Sequence, residues 1–133
     1  MIGTKPFDLA VITPERAVLR APATFVAIPA WDGEVGILAH RAPLLVKLGV
    51  GWLRADTPEG RKTYLIDGGF AQVVDNKVSV LTEHAQAPEE IDRQAARRDL
   101  QEAKALPITD EASFEARQRS LARARAEVAA TRS

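Results

Sequence analysis

The sequence predicts an α+β chain: an N-terminal antiparallel β-sandwich or flattened barrel over 1–86, then a C-terminal antiparallel α-helical hairpin over 87–133. Two observations carry this prediction. Up to Glu83, short apolar runs recur with turn signals about every 8 to 12 residues, the pattern of many short strands. From Ala87-Pro88-Glu89-Glu90 onward glycine is absent, β-branched residues are rare, and Ala, Arg, Glu and Gln dominate.

Taken in order, Phe7 to Ile12 is a strand stopped by Thr13-Pro14-Glu15. Ala17 to Leu19 is a second short run, and Thr24 to Ile28 a third, bounded by Pro22 and Pro29. Val46 to Leu48 and Gly51 to Ala55 follow. Thr57-Pro58-Glu59-Gly60 has the proline and glycine of a four-residue turn, so Lys62 to Ile66 returns as the second strand of a hairpin. Asp67-Gly68-Gly69 breaks the chain, Phe70 to Val74 resumes it, and Asp75-Asn76 turns into Lys77 to Leu81. Pro88 suits a first helical position, and Glu89 and Glu90 suit the positive end of the helix dipole, which predicts a helix from Glu89 to Ala105. Leu106-Pro107-Ile108 interrupts it, and Thr109 or Asp110 caps a second helix reaching about Ala130. So short a connection makes the two helices an antiparallel hairpin. Ile91, Ala95, Leu100 and Ala103 form a thin apolar stripe on the first, and Phe114, Leu121, Ala124 and Val128 on the second. Much of the stripe is alanine, which buries little area. The hairpin is therefore expected to dock weakly and to be able to leave the β domain.

The totals exclude several function classes. Lys plus Arg equals Asp plus Glu at 18 each, so the basic excess of a general nucleic-acid binder is missing. There is no cysteine, hence no thiolate nucleophile or Cys-based zinc site, and two histidines do not make a metal centre. No apolar run has the roughly 18 to 20 residues of a membrane helix, so direct insertion is not expected. Met1 to Asp8 has neither a basic nor an apolar signal region, and no signal peptide is expected. No Gly-rich phosphate loop, nucleophile elbow or paired carboxylates appear, so no catalytic residue is assigned.

The most distinctive stretch is Asp32-Gly33-Glu34-Val35-Gly36-Ile37-Leu38-Ala39-His40-Arg41-Ala42-Pro43-Leu44-Leu45. Gly33 and Gly36 permit positive φ, and Pro43 fixes φ and removes an amide donor. The stretch reads as a structured loop at a corner of the β domain, presenting Glu34 and Arg41 outward. Trp31 beside it is a candidate interface anchor, whereas Trp52, within a strand, reads as core.

Asp32 to Ile37, Ala42-Pro43-Leu44-Leu45, Gly68-Gly69-Phe70 and Val78-Ser79-Val80-Leu81, in register, resemble the epsilon subunit family of bacterial F-type ATP synthases. Ala39-His40-Arg41 departs from the family pattern: the histidine stands one place early and Arg41 takes its usual position. The resemblance implies a non-catalytic rotor subunit of a proton-translocating synthase, peripheral on the cytoplasmic face of the bacterial cell membrane. Its implied partners are the gamma subunit, the loops of the c-ring and, with the hairpin extended, the alpha and beta catalytic subunits, where it would inhibit ATP hydrolysis. Carried onto this chain, the ring-side residues are Trp31, Asp32, Gly33, Glu34, Arg41, Ala42 and Pro43. Arg117, Arg119, Arg123 and Arg125 would meet acidic surface on a catalytic subunit. Some members bind ATP through a first-helix motif, of which Ile91, Asp92 and Ala96 are a remnant. Ala95 replaces its arginine, and with it a strong phosphate donor, so no cofactor is expected. Two other readings stay open: an ATP-sensing module closed by the hairpin, and a β-sandwich adapter unrelated to the synthase.

Overall fold

In the computed structural model, which describes residues 5–131, ten strands precede two helices. The strands are β1 Phe7–Ile12, β2 Ala17–Ala23, β3 Phe25–Ala30, β4 Gly33–Ile37, β5 Leu44–Lys47, β6 Val50–Thr57, β7 Gly60–Asp67, β8 Phe70–Val74, β9 Lys77–Leu81 and β10 Ala85–Gln86. The helices are α1 Arg93–Ala105 and α2 Glu111–Ala130. The chain divides into two compact units, Met1–Ala85 and Gln86–Ser133.

The first unit is the expected β-sandwich. One five-stranded sheet has the order β2-β1-β9-β8-β5, the other β10-β7-β6-β3-β4. Period-2 alternation puts Phe7, Leu9 and Val11 of β1, Ala71 and Val73 of β8, and Val78 and Val80 of β9 on one inner face. Val26 and Ile28 of β3, Ile37 of β4, and Leu53 and Ala55 of β6 oppose them, all fully out of water. The Pro58-Glu59 and Asp75-Asn76 links are two-residue hairpin turns, closing on the Thr57–Gly60 and Val74–Lys77 pairs. Asp75 and Asn76 both have φ near +55 (51° and 60°), the left-handed pair that matches strand twist. The strand beside β1 is not its sequence neighbour alone: β9 runs parallel to it on the other side.

Several local expectations change. Strand β2 continues through Pro22, which an edge strand tolerates. Strand β3 continues through Pro29 because its ladder with β6 ends at Ala27, so the missing amide breaks no bond on that side. The 32–45 stretch is not one loop. Trp31-Asp32 is a two-residue turn closing on the Ala30–Gly33 pair, and Gly33 to Ile37 pairs regularly with β3. Gly33 takes φ +146°, but Gly36 stays extended. A Cβ at Gly36 would lie 3.1 Å from the Phe25 ring, a tight contact that the ring would have to yield to. Trp52 is half-buried on the face opposite Leu53, rather than in the core.

In the second unit, Pro88–Glu90 forms only a 3-10 turn, and α1 starts four residues later than expected. Asp92 is its N-cap, accepting from Gln94 N at 2.9 Å. Asp110 caps α2 in a reciprocal box: its carboxylate accepts from Ser113 N at 2.7 Å, and Ser113 Oγ accepts from Asp110 N at 3.0 Å. These Ser113 bonds hold the Asp110 carboxyl below the usual carboxylate range. Ala96 and Ala103 of α1, and Leu121, Ala124 and Val128 of α2, are buried. Phe114 leaves the expected stripe and is 44% exposed.

Candidate functional site

Strand β4 sorts the ring-side candidates into two groups. Its five residues span about 13 Å at strand spacing. At one end stand Trp31, Asp32 and Gly33, next to the end of β5, where Trp31 N donates to Lys47 O at 3.0 Å. Trp31 is 69% exposed at the tip of that turn. At the other end, the 38–43 loop carries Arg41, Ala42 and Pro43, all exposed. The structure therefore does not bring these seven residues into one cluster.

Glu34 lies on β4 itself. The Arg54 guanidinium on β6 reaches across β3 to hold it in a fork, Nη2 donating to Oε1 at 2.9 Å and Nη1 to Oε2 at 3.2 Å. Both side chains are partly exposed, so the pair orients the carboxylate more than it stabilises the fold. Arg41 Nη1 donates to the carbonyl of Ala42 at 3.3 Å, a local contact that leaves the side chain on the surface.

The 38–43 loop is anchored from a distance. His40 holds φ +61°, an unusual conformation for a residue with a Cβ. Its N–H donates to Asn76 Oδ1 at 2.8 Å, and Asn76 Nδ2 donates to Pro6 O at 3.1 Å. Asn76 was legible in the sequence only as a turn residue.

Sequence reasoning missed an apolar outer face on the first sheet. Leu45, Phe70, Val74 and Leu81 point away from the core and are at least two-fifths exposed, Leu45 at 70%. Phe70 and Leu81 are cross-strand partners and border a groove of about 380 Å³ that Ile12 and Pro14 also line. The signal was present: Phe70-Ala71-Gln72-Val73-Val74 is apolar on both strand faces, and Leu44-Leu45-Val46 likewise. Gln72 lies between Phe70 and Val74 on that face, and Leu45 pairs with it across the strands.

On the hairpin, the four arginines do not form one face. At 100° per residue Arg119 and Arg123 point about 40° apart, while Arg117 and Arg125 point elsewhere. Arg117 Nη2 donates to Lys104 O at 3.1 Å, so this cation satisfies a carbonyl at the negative end of α1. Arg123 Nε lies 3.9 Å from Glu127 Oε1 one turn on.

The ATP-motif remnant is occupied structurally. Asp92 is the α1 cap, and Ile91 and Ala96 are buried. No guanidinium stands at Ala95. Among the described residues no group of three or more His, Asp or Glu side chains is placed to hold a metal, and no helix is long and apolar enough to cross a membrane.

Residues 6–88 match the family model described as ATP synthase, Delta/Epsilon chain, beta-sandwich domain. The chain is 41% identical over 122 residues to the ATP synthase epsilon chain of Rhodopirellula baltica, covering 92% of this chain and 95% of that one. It is 42% identical over 125 residues to the chloroplastic epsilon chain of Cyanidioschyzon merolae, covering 90% and 93%. Among solved structures it superposes with TM-score 0.74 and 29% identity on a chain of the Euglena gracilis mitochondrial ATP synthase OSCP/F1/c-ring structure, covering 90% of this chain and 77% of that one. A chain of the Tetrahymena thermophila mitochondrial central stalk and c-ring structure shares the fold, with TM-score 0.69 and 18% identity over 97% of this chain and 98% of that one. The chain belongs to the ATP synthase epsilon-chain family.

Proposed function

We propose that this chain is a non-catalytic central-stalk subunit of a proton-translocating ATP synthase, joining the gamma subunit to the c-ring at the cytoplasmic face of the membrane. The observation that carries the reading is 41% identity to an epsilon chain over nearly the full length of both proteins. A subunit that joins two partners needs two contact surfaces, and the β domain offers an exposed hairpin tip at Trp31 and exposed apolar side chains on the outer face of the first sheet. The Trp31-Asp32-Gly33 turn, with the oriented Glu34 beside it, meets the polar ring loops. An exposed Trp at a hairpin tip supplies contact area at little entropic cost, and a carboxylate held by Arg54 supplies a directed acceptor. Gamma takes the apolar outer face of Leu45, Phe70, Val74 and Leu81 together with Arg41, Ala42 and Pro43, because β5 joins that loop directly to that face. Assignment of Arg41 to Pro43 to gamma departs from the single ring-side patch expected from sequence.

The hairpin regulates hydrolysis. Extended from the β domain, it carries Arg119 and Arg123, about 40° apart on α2, to acidic surface on a catalytic subunit and opposes ATP hydrolysis. Asp92 engaged as a helix cap and Ala95 in place of arginine argue against an ATP-sensing module.

A pull-down with purified gamma, using the full chain and a chain lacking 88–133, tests both parts. Capture of both versions is expected; capture of neither overturns the rotor reading. In the assembled enzyme, removal of 88–133 is expected to raise ATP hydrolysis with assembly intact, and unchanged hydrolysis refutes inhibition.

A further inference from the structure

We propose that Asn76 is the positioning residue of the 38–43 loop, holding it in the one conformation that engages the partner. This rests on the reading that the loop meets gamma. Pro43, the end of the loop nearest β5, fixes its own φ but offers no amide with which to tie the loop to a neighbour. His40, at its centre, sits at φ +61°, which a residue with a Cβ keeps only when its surroundings over-determine it. Two contacts hold it there: Ala39 beside it packs against the core, and a side chain 36 positions away, Asn76, accepts from His40 N through Oδ1 at 2.8 Å. That carboxamide is itself fixed. Its Nδ2 donates to Pro6 O at 3.1 Å, the Asn76 carbonyl accepts from Asp8 N at 3.1 Å, and its backbone is the second residue of the β8–β9 turn. One residue thus ties three segments together: the loop, the start of β1 and the β8–β9 hairpin.

Chemistry explains why asparagine stands here. Asn accepts left-handed φ more readily than other residues with a Cβ, and Asn76 has φ +60°. Its amide also offers an acceptor to one segment and a donor to another. Aspartate would keep the acceptor for His40 and lose the donor to Pro6. Glycine would keep the turn and lose both. A loop freed to sample other conformations binds more weakly in proportion to the fraction of time it is competent.

The test measures gamma affinity and thermal stability for the full chain and for Asn76→Gly, Asn76→Asp and Arg41→Glu. Asn76→Gly is expected to weaken gamma binding on the order of tenfold, the loss expected if the loop is competent about one-tenth of the time. Asn76→Asp is expected to restore most of the affinity even where its Tm matches the glycine variant, since it keeps the acceptor for His40 N. Wild-type affinity in Asn76→Gly alongside weakened Arg41→Glu overturns the positioning role and leaves the interface standing. Unchanged affinity in both variants overturns the reading of the loop itself, and the role of Asn76 with it. Should Asn76→Gly not fold, amide exchange in the unmodified chain decides. Slow exchange at His40 N supports the anchor, and exchange at the rate of an open loop amide overturns it.

Discussion

Gly68 and Gly69 are adjacent, both at positive φ, and substitution by alanine should affect them very differently. Gly68 has φ +72° and open space where a Cβ would go, so Gly68→Ala adds only left-handed backbone strain, about 1–2 kcal/mol. Gly69 has φ +103°, and a Cβ there would overlap the Leu81 carbonyl oxygen and lie 2.9 Å from Thr82 Cα. Those are backbone atoms of the β9 end, which cannot swing aside as a flexible side chain would. Relief requires the chain to move, at an overpacking cost of about 1–3 kcal/mol. Movement also threatens the bond that Leu48 N donates to Gly69 O at 2.8 Å, a contribution of about 1 kcal/mol. Gly69→Ala should therefore cost about 3–6 kcal/mol, against a total stability of about 5–15 kcal/mol for a small domain. Urea unfolding of the full chain, followed by Trp31 and Trp52 fluorescence, measures both variants against the unmodified protein. A midpoint for Gly69→Ala equal to that of Gly68→Ala would refute the steric argument and leave φ alone as the reason for glycine.

Two smaller predictions concern charge. Asp110 has a lowered folded-state pKa, so its capping contribution is fully present above about pH 4, the ordinary aspartate value, and is lost as pH falls through the lowered value. Asp110→Ala should fray the first turn of α2 in far-UV circular dichroism, and Asp110→Asn should keep the turn but lose its acid dependence; an acid profile unchanged in Asp110→Asn contradicts this. Glu34→Gln should change unfolding stability by less than about 1 kcal/mol, because the Arg54 pair is partly exposed, while weakening association with the c-ring. A large stability loss with ring association intact would reverse that assignment.

Short apolar runs bounded by turn residues were readable from local pattern: β1, β8 and β9 match their expected bounds in full, each flanked by a Pro, Gly or Asp-Asn break. Strand β4 was not readable. Gly33 and Gly36 resemble loop residues, whereas Gly33 closes the Trp31-Asp32 turn at φ +146° and Gly36 lies in the strand against the Phe25 ring, a neighbour 11 positions away. Missing β4 hid the separation of Trp31 from Arg41, and so the candidate site looked like one patch. The start of α1 was misread for a related reason: Pro88 and two glutamates favour a helix, yet Asp92 is the better cap and sets the boundary. The Arg54–Glu34 fork and the Asn76 anchor join residues 20 and 36 positions apart, beyond the reach of any local pattern.

The parallel pairing of β1 with β9 has a consequence for biosynthesis. β1 leaves the ribosome early, but the strand that covers its second edge lies about seventy residues later. Until Lys77–Leu81 emerges, the sheet exists as two fragments, β2-β1 and β8-β5, each with an open edge and an uncovered apolar face. Such nonlocal closure is intrinsically slow. A nascent chain from which Leu81 has not yet emerged therefore exposes strand edges open to wrong pairing, whereas one that has released Leu81 carries every strand of that sheet.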